Sequence, residues 1–389
     1  MALLLPAAEL KLAERVEQVD LLAREPMAVE LANGAIFVSG YGAAPPRLWK
    51  STDQGAHWAR VNAGTAKDGA AGNSDVDLAA ARDGALYFAN MTFDEKTNEG
   101  AQIAVGVSRD AGEHWKWTTV SKHRFDDRPW VAVAPDGTAH LIWNDGGVWH
   151  STSRDRGDTW SAPVRIVAKG GSSHLAVGPR GEIAVRVSPA SASGNKFDAG
   201  IDRIALSTDG GKTWKTRNAP GKREWSANLE AFPPRWVEPL AWDAAGRLYS
   251  FWTNLEGLWL ARSANRGRSW KIWKLAASAQ PAYFPYLVAR GKGELACTWF
   301  SGPLATFQAH AGFIHDRGGN IAPSFIQSAP FQPDTWDWEH ERDRDTAGEY
   351  LGITFLESGG FAVVSAIQNK KEKRYGFTWM RFEVPSGVH

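Results

Sequence analysis

STDGGKTW, at 207–214, decides how the rest of the chain is read, because it recurs. STDQGAHW stands at 51–58, SRDAGEHW at 108–115, SRDRGDTW at 153–160 and SANRGRSW at 263–270. All five follow S-x-[DN]-x-G-x-x-W, and successive copies start 57, 45, 54 and 56 residues apart. A quasi-regular interval of this size is the mark of one structural unit repeated with loops of variable length. The residue types suit a tight turn. The carboxylates of Asp53, Asp110, Asp155 and Asp209 suit accepting backbone N–H groups of their own turn, and Asn265 serves equally well as an acceptor. The glycine two positions on supplies a positive φ, and the tryptophan seals the hairpin against its sheet. In this reading Asp, Gly and Trp are folding devices rather than catalysts.

Working outward, each copy is preceded by an apolar run, a turn with Gly and a second apolar run. The stretches are 26–40, 76–90, 129–144, 174–187, 239–252, 285–300 and 350–365, seven in all. A third run leads into the box, as in QIAVGVS (102–108), and a fourth follows the Trp, as in KWTTVS (116–121). Four short strands per unit, seven units in a row and almost no helical periodicity predict an all-β chain. The fold class is a single β-propeller of four-stranded blades, with seven blades expected and six as the alternative. Units six and seven lack the box, reading HAGFIHDRGGN (310–320) and NKKEKRYGFTW (369–379). The whole of 1–389 reads as one propeller domain. Residues 14–23 are expected to add the strand that closes the ring and leaves no open edge. The stretches 189–200 and 331–347 read as long loops, where ligand contacts on a rigid scaffold concentrate.

Composition narrows the function. The chain has 20 Trp and 39 Gly among 389 residues, so the repeat is what demands them. Lys and Arg total 44 against 43 Asp and Glu, which argues against a nucleic-acid partner. No apolar run is long enough for a membrane span. The one cysteine, Cys297, excludes an internal disulfide and a Cys-rich metal site. The opening MALLLPAAEL is no clear secretory leader; the compartment stays open, with a secreted or periplasmic location compatible with a removed leader. The acidic residues of QPDTWDWEHERD (332–343) match no EF-hand spacing. No metal and no cofactor are expected, and a monomer is.

In a propeller the innermost strand of each blade begins beside the central channel on one face. Residues just before the seven first strands therefore ring one mouth. They are Arg24 and Glu25; Asn73, Asp75 and Asp77; Asp126, Asp127 and Arg128; Ser172, Ser173 and His174; Arg235 and Glu238; Tyr283 and Tyr286; Glu349 and Tyr350. Ionisable or phenolic groups converging from nearly every blade are the signature of a ligand site. The alternative is that short polar side chains merely tie neighbouring blades together.

The five boxes resemble the Asp-box repeats of the sialidase superfamily, and the resemblance runs from about residue 22 to 383. It implies a carbohydrate-processing propeller. Sialidases open with Arg-Ile-Pro before an apolar strand, and here Arg24-Glu25-Pro26 has that place, so the resemblance makes Arg24 a ligand of the substrate carboxylate. Their Asn-Glu-Pro corresponds to Val237-Glu238-Pro239, making Glu238 the base that activates the nucleophile. Their Tyr-Ser-Asp corresponds in part to Glu349-Tyr350-Leu351, making Tyr350 that nucleophile. The segment that would hold the acid/base Asp, GYGAAPPR at 40–47, has no carboxylate; Asp127 or Asp75 is the substitute acid, and Arg128 and Arg235 rebuild a cationic pocket. The expected activity is glycoside hydrolysis of a glycan bearing an acidic sugar, so the partner is a carbohydrate with a carboxylate. A second class is a seven-bladed uronate lyase, with His174 and Tyr283 or Tyr286 working beside Arg128. The third is a non-catalytic carbohydrate- or protein-binding propeller, with Trp336 and Trp338 stacking on sugars.

Overall fold

The computed structural model describes residues 10–189, 200–221, 224–225, 238–254, 257–277, 282–302, 308–331, 351–369 and 372–385. Their strands make seven four-stranded antiparallel sheets, six of them each from one stretch of chain and the seventh from both ends. Blade 1 runs from the inner strand Arg24–Glu30 through Ile36–Tyr41 and Arg47–Ser51 to Ala59–Arg60. The inner strands of blades 2 to 7 are Ser74–Ala80, Asp127–Val133, Gly171–Val177, Leu240–Trp242, Ala282–Arg290 and Gly352–Phe355. Each inner strand packs on its neighbours in the next blades, and Gly352–Phe355 packs back on Arg24–Glu30. The molecule is a seven-bladed β-propeller. A two-stranded pair, Gly200–Ile201 with Glu224–Trp225, is added beside blade 4.

Blade 7 takes its outermost strand from the other end of the chain, Lys11–Val19 pairing antiparallel with Arg374–Glu383. This strand lies earlier than the 14–23 expected from hydropathy. The chain turns at Asp20, whose carboxylate accepts the N–H of Leu21 at 2.6 Å and the indole N–H of Trp49 at 3.0 Å. Those two bonds end the strand and carry the chain inward to Arg24.

The boxes form as their chemistry dictates. In blade 1, Asp53 Oδ1 accepts the His57 N–H at 3.0 Å, and Ser51 Oγ accepts the Gly55 N–H at 2.9 Å. The Trp58 indole donates to the Gly55 carbonyl at 2.9 Å. Asp110, Asp155, Asp209 and Asn265 repeat the carboxylate or amide bond to the residue four on, at 2.9 Å each. Such bonds hold the ionised form, so Asp53, Asp110, Asp155 and Asp209 are pushed down to about 2. The box glycine also sets the spacing between blades. A Cβ on Gly112 would meet Phe37 of blade 1 at 3.0 Å, and one on Gly267 would meet Leu206 of blade 4 at 3.0 Å. The equivalent atoms would collide with Val107 from Gly157, with His150 from Gly211 and, across the closure, with Trp379 from Gly55.

Blade 6 has lost the box and keeps its joint by charge. Asp316, buried at the end of the third strand, accepts from Tyr249 Oη of blade 5 at 2.7 Å and from Arg262 at 2.5 and 2.7 Å. Replacing a turn motif by a hydrogen-bonded ion cluster lets two blades dock without the Gly contact.

Candidate functional site

Five blades share a device at the channel end of the inner strand. Pairing with the second strand skips a residue between Arg24 and Met27, Ser74 and Val76, Asp127 and Trp130, Ser172 and His174, and Tyr283 and Tyr286. A β-bulge bends the strand and re-aims its side chains, and bulges concentrate at the rims of closed sheets. In three blades the bulge holds a non-glycine residue in the left-handed region directly before proline: Glu25 at φ 45°, Arg128 at 50° and Phe284 at 45°. That conformation costs roughly 1–3 kcal/mol and persists where surroundings over-determine it, commonly at ligand sites.

Above the bulges lies the rim. The Arg24 guanidinium sits over the Tyr41 ring, 5.3 Å from its centroid. Arg128 lies 3.8 Å from its neighbour Asp127, both partly exposed. Asp75, in the blade 2 inner strand, is also partly exposed.

Several predicted rim residues are instead tied into the scaffold, some between blades and some within one. Ser172 gives its N–H and hydroxyl to Asn144 Oδ1 at 2.6 and 2.8 Å. Asn73 bonds both ways with Phe93, and Asp126 accepts from Ser121 Oγ and the His123 N–H. Tyr283 is drawn aside to donate to the Gly302 carbonyl at 2.8 Å.

Just below the rim, the residues that follow the bulges form a polar floor. His174 Nε2 is 3.2 Å from Tyr286 Oη, a contact from blade 4 to blade 6. His174 Nδ1 receives the backbone N–H of Leu240 at 3.4 Å, so Nδ1 is the acceptor. A neutral imidazole then carries its proton on Nε2 and donates it to the tyrosine oxygen. Burial alone pushes His174 down to about 3, so it is neutral across the physiological range. Burial first, and the nearby Asp77 second, push Tyr286 well above the ordinary phenol value. Its hydroxyl keeps its hydrogen. Asp77 accepts the N–H of Val131 at 2.8 Å and of Leu78 at 2.9 Å, and burial raises it to about 8. Trp130 flanks the pair, its ring 5.3 Å from that of His174.

Beside this floor sits a buried ion triad. Arg186 is the cross-strand partner of His174, and its guanidinium reaches Asp202 at 2.6 Å and Glu238 at 3.1 Å. All three side chains are at most 1% exposed. Glu238 is therefore bound to a cation, not placed against a described phenol. Of the residues singled out in the sequence, the structure brings His174 and Tyr286 together, sets Glu238 next to them through Arg186, and keeps Arg24, Asp75, Asp127 and Arg128 at the rim. Tyr350 and Arg235 lie outside the described residues, as do Trp336 and Trp338. Arg186 and Asp202 were missed, although an arginine inside the apolar strand IAVRVS (183–188) is itself a signal, because a buried charge needs a partner. Among the described residues no cluster of His, Cys, Asp and Glu could hold a metal ion. No helix among them is long and apolar enough to cross a membrane.

Fold and repeat define the class: a seven-bladed β-propeller carrying BNR/Asp-box repeats. The model of the BNR/Asp-box repeat matches residues 205–216, the fourth box. In architecture the chain is similar to a protein of unknown function from Dyadobacter fermentans, at 14% identity and TM-score 0.54, over 98% of this chain and 100% of that one. It is also similar to an alpha-L-arabinanase of Penicillium chrysogenum, at 13% identity and TM-score 0.52, over 95% and 98% of the two chains. A third similar structure is an ulvan lyase, a polysaccharide lyase bound to -[GlcA(1-4)Rha3S]-, at 12% identity and TM-score 0.54, over 94% and 95%. No curated protein matches the chain in sequence.

Proposed function

We propose that the protein cleaves a glycan carrying a carboxylate-bearing sugar at the bulged mouth of the channel. The observation that carries this reading is the His174–Tyr286 pair, a phenol kept protonated and given an orientation by a neutral imidazole. Tyr286 is thereby suited to deliver a proton to a glycosidic oxygen. Arg24 and Arg128 at the rim are suited to hold the sugar carboxylate, since guanidinium pairs with carboxylate in a two-pronged geometry. Support from the fold is general: an arabinanase and an ulvan lyase are built on it.

Within that class the geometry favours elimination over hydrolysis. In elimination a base takes the proton at C5, the C4–O bond breaks, a C4=C5 double bond forms and the leaving oxygen takes the phenolic proton. Expulsion from a carbanion asks less of an acid than protonation of an acetal oxygen does. A phenol of raised pKa meets the first demand better than the second. We assign the C5 proton to Asp127, the rim carboxylate beside Arg128. The sialidase-type route would use Glu238, which reaches Arg186 at 3.1 Å, to activate Tyr350, which lies outside the described residues. His174 and Tyr286 are both buried, so the reading also requires substrate to reach the floor of the mouth.

A panel of uronate-containing polysaccharides, followed by ultraviolet absorbance and by reducing ends, tests this. Elimination gives an unsaturated, absorbing product, whereas hydrolysis gives reducing ends without absorbance. Tyr286→Phe is expected to abolish the product while leaving the melting temperature within a few degrees of the parent. Full activity in that variant refutes the assignment.

A further inference from the structure

Away from the channel, blade 1 carries a half-open cavity of about 250 Å³ where its third strand begins and its fourth ends. Pro45, Pro46 and Leu48 form one wall, Val61 to Gly64 another, and Arg47 and Arg60 supply the charge. Three features make it more than a surface dent. First, its cations are poorly compensated. Arg60 is exposed and makes no ion pair among the described residues. Arg47 is pushed below its usual value by burial and then by Arg60, with only Asp20 acting the other way. Two like charges in a concave, partly apolar wall focus a positive potential that favours an anion. Second, the cavity is held in shape. The Trp117 indole of blade 2 donates to the Ala63 carbonyl at 2.6 Å, and Val61 donates to the Leu48 carbonyl at 2.9 Å. Third, it lies at the same end of blade 1 as Arg24, since Arg24 pairs with Tyr41 and Arg47 with Gly40. Arg47 donates to the Leu22 carbonyl, two residues before Arg24, and a Cβ on Gly42 would meet the Arg47 guanidinium at 2.8 Å. Arg24, Arg47 and Arg60 stand on the first, third and fourth strands of blade 1, in that order outward from the mouth.

We propose that this cavity is a remote subsite for a second acidic sugar of the same chain, so that the preferred substrate is a polymeric polyuronate rather than a single terminal sugar. The prolines and Leu48 offer an apolar wall for a ring face, and Arg60 reaches its carboxylate. The inference rests on the reading of the mouth as an acidic-glycan site, and its test separates the two. Linear oligomers of galacturonate, of alginate uronates and of hyaluronan, from two sugars upward, are titrated calorimetrically against the parent, Arg60→Glu and Arg24→Ala. Neutral arabinan oligomers of equal lengths are the control.

In the parent, affinity for at least one acidic series is expected to rise about tenfold or more with length, the size of one charge-assisted contact. Arg60→Glu is expected to lose that rise and keep the affinity for the shortest acidic oligomer; Arg24→Ala is expected to weaken every length. A length-dependent rise that survives Arg60→Glu, an equal rise for neutral oligomers, or no binding by any acidic oligomer overturns the proposal. If the rise depends on Arg60 while no oligomer is cleaved, the subsite stands and the reading of the mouth falls. If short oligomers are cleaved through Tyr286 but no rise with length is seen, the reverse holds.

Discussion

Arg186 carries two carboxylates at 2.6 and 3.1 Å, with all three side chains out of water. Removing the cation strands two negative charges in the interior, so Arg186→Met is expected to destabilise the fold by about 3–5 kcal/mol. Urea unfolding measures this; a loss below about 1 kcal/mol would mean the triad is solvated. Three buried histidines and the half-buried His310 set the acid limit. Burial pushes His140 and His310 down to about 4, and His150 and His174 to about 3. A histidine lowered in the folded state binds fewer protons there than when unfolded. Its contribution is therefore full above the unfolded value of about 6.5 and is lost as pH falls towards 3. Asp77, raised to about 8, has the opposite sign and offsets part of the slope between about 4 and 8. His140 and His150 stack with ring centroids 5.4 Å apart, so they charge together only against repulsion. His150→Gln is expected to flatten the fall in melting temperature between pH 6.5 and 4; an unchanged slope would exclude that pair. At this scale the sequence was half legible. Residues before the inner strands could be numbered because the repeat fixes their place. Which of them face the channel could not, because a bulge re-aims each strand end and proximity across the ring leaves no mark in spacing.

The box hairpins were legible because their chemistry is local, contained within eight residues. What escaped was the second task of the box glycine, which is to admit the neighbouring blade. That contact is made between residues far apart in sequence, from Gly157 with Val107 in the next blade to Gly55 with Trp379 across the closure. The consequence is a graded prediction. Gly137, in the blade 3 hairpin, has φ 85° and open space where a Cβ would go. Gly137→Ala is expected to cost about 1–2 kcal/mol for the left-handed backbone alone. Gly157 has φ 83° and Val107 in that space, so Gly157→Ala is expected to cost about 2–5 kcal/mol once overpacking is added. Equal costs in chemical denaturation would show that the box glycine serves only its own turn.

Ring closure governs the whole molecule. Lys11–Val19 covers the outer edge of Arg374–Glu383, which would otherwise present a row of unpaired backbone groups. Deleting residues 1–19 is expected to lower the melting temperature and to produce a larger species than the parent in size-exclusion chromatography; a variant that elutes like the parent and is equally stable would show that closure is dispensable. Seven blades were countable from the sequence even though two lack the box, because the apolar hairpins persist where the turn motif does not. The closing strand was placed late, since hydropathy does not see that Asp20 ends it. The account as a whole rests on Tyr286 acting as a proton donor at the floor of an acidic-glycan site. The most direct measurement is ultraviolet absorbance during incubation with uronate polysaccharides, for the parent and for Tyr286→Phe and His174→Ala. The account predicts an absorbing, unsaturated product from the parent and none from either variant. Cleavage without absorbance, or absorbance that survives Tyr286→Phe, would contradict it.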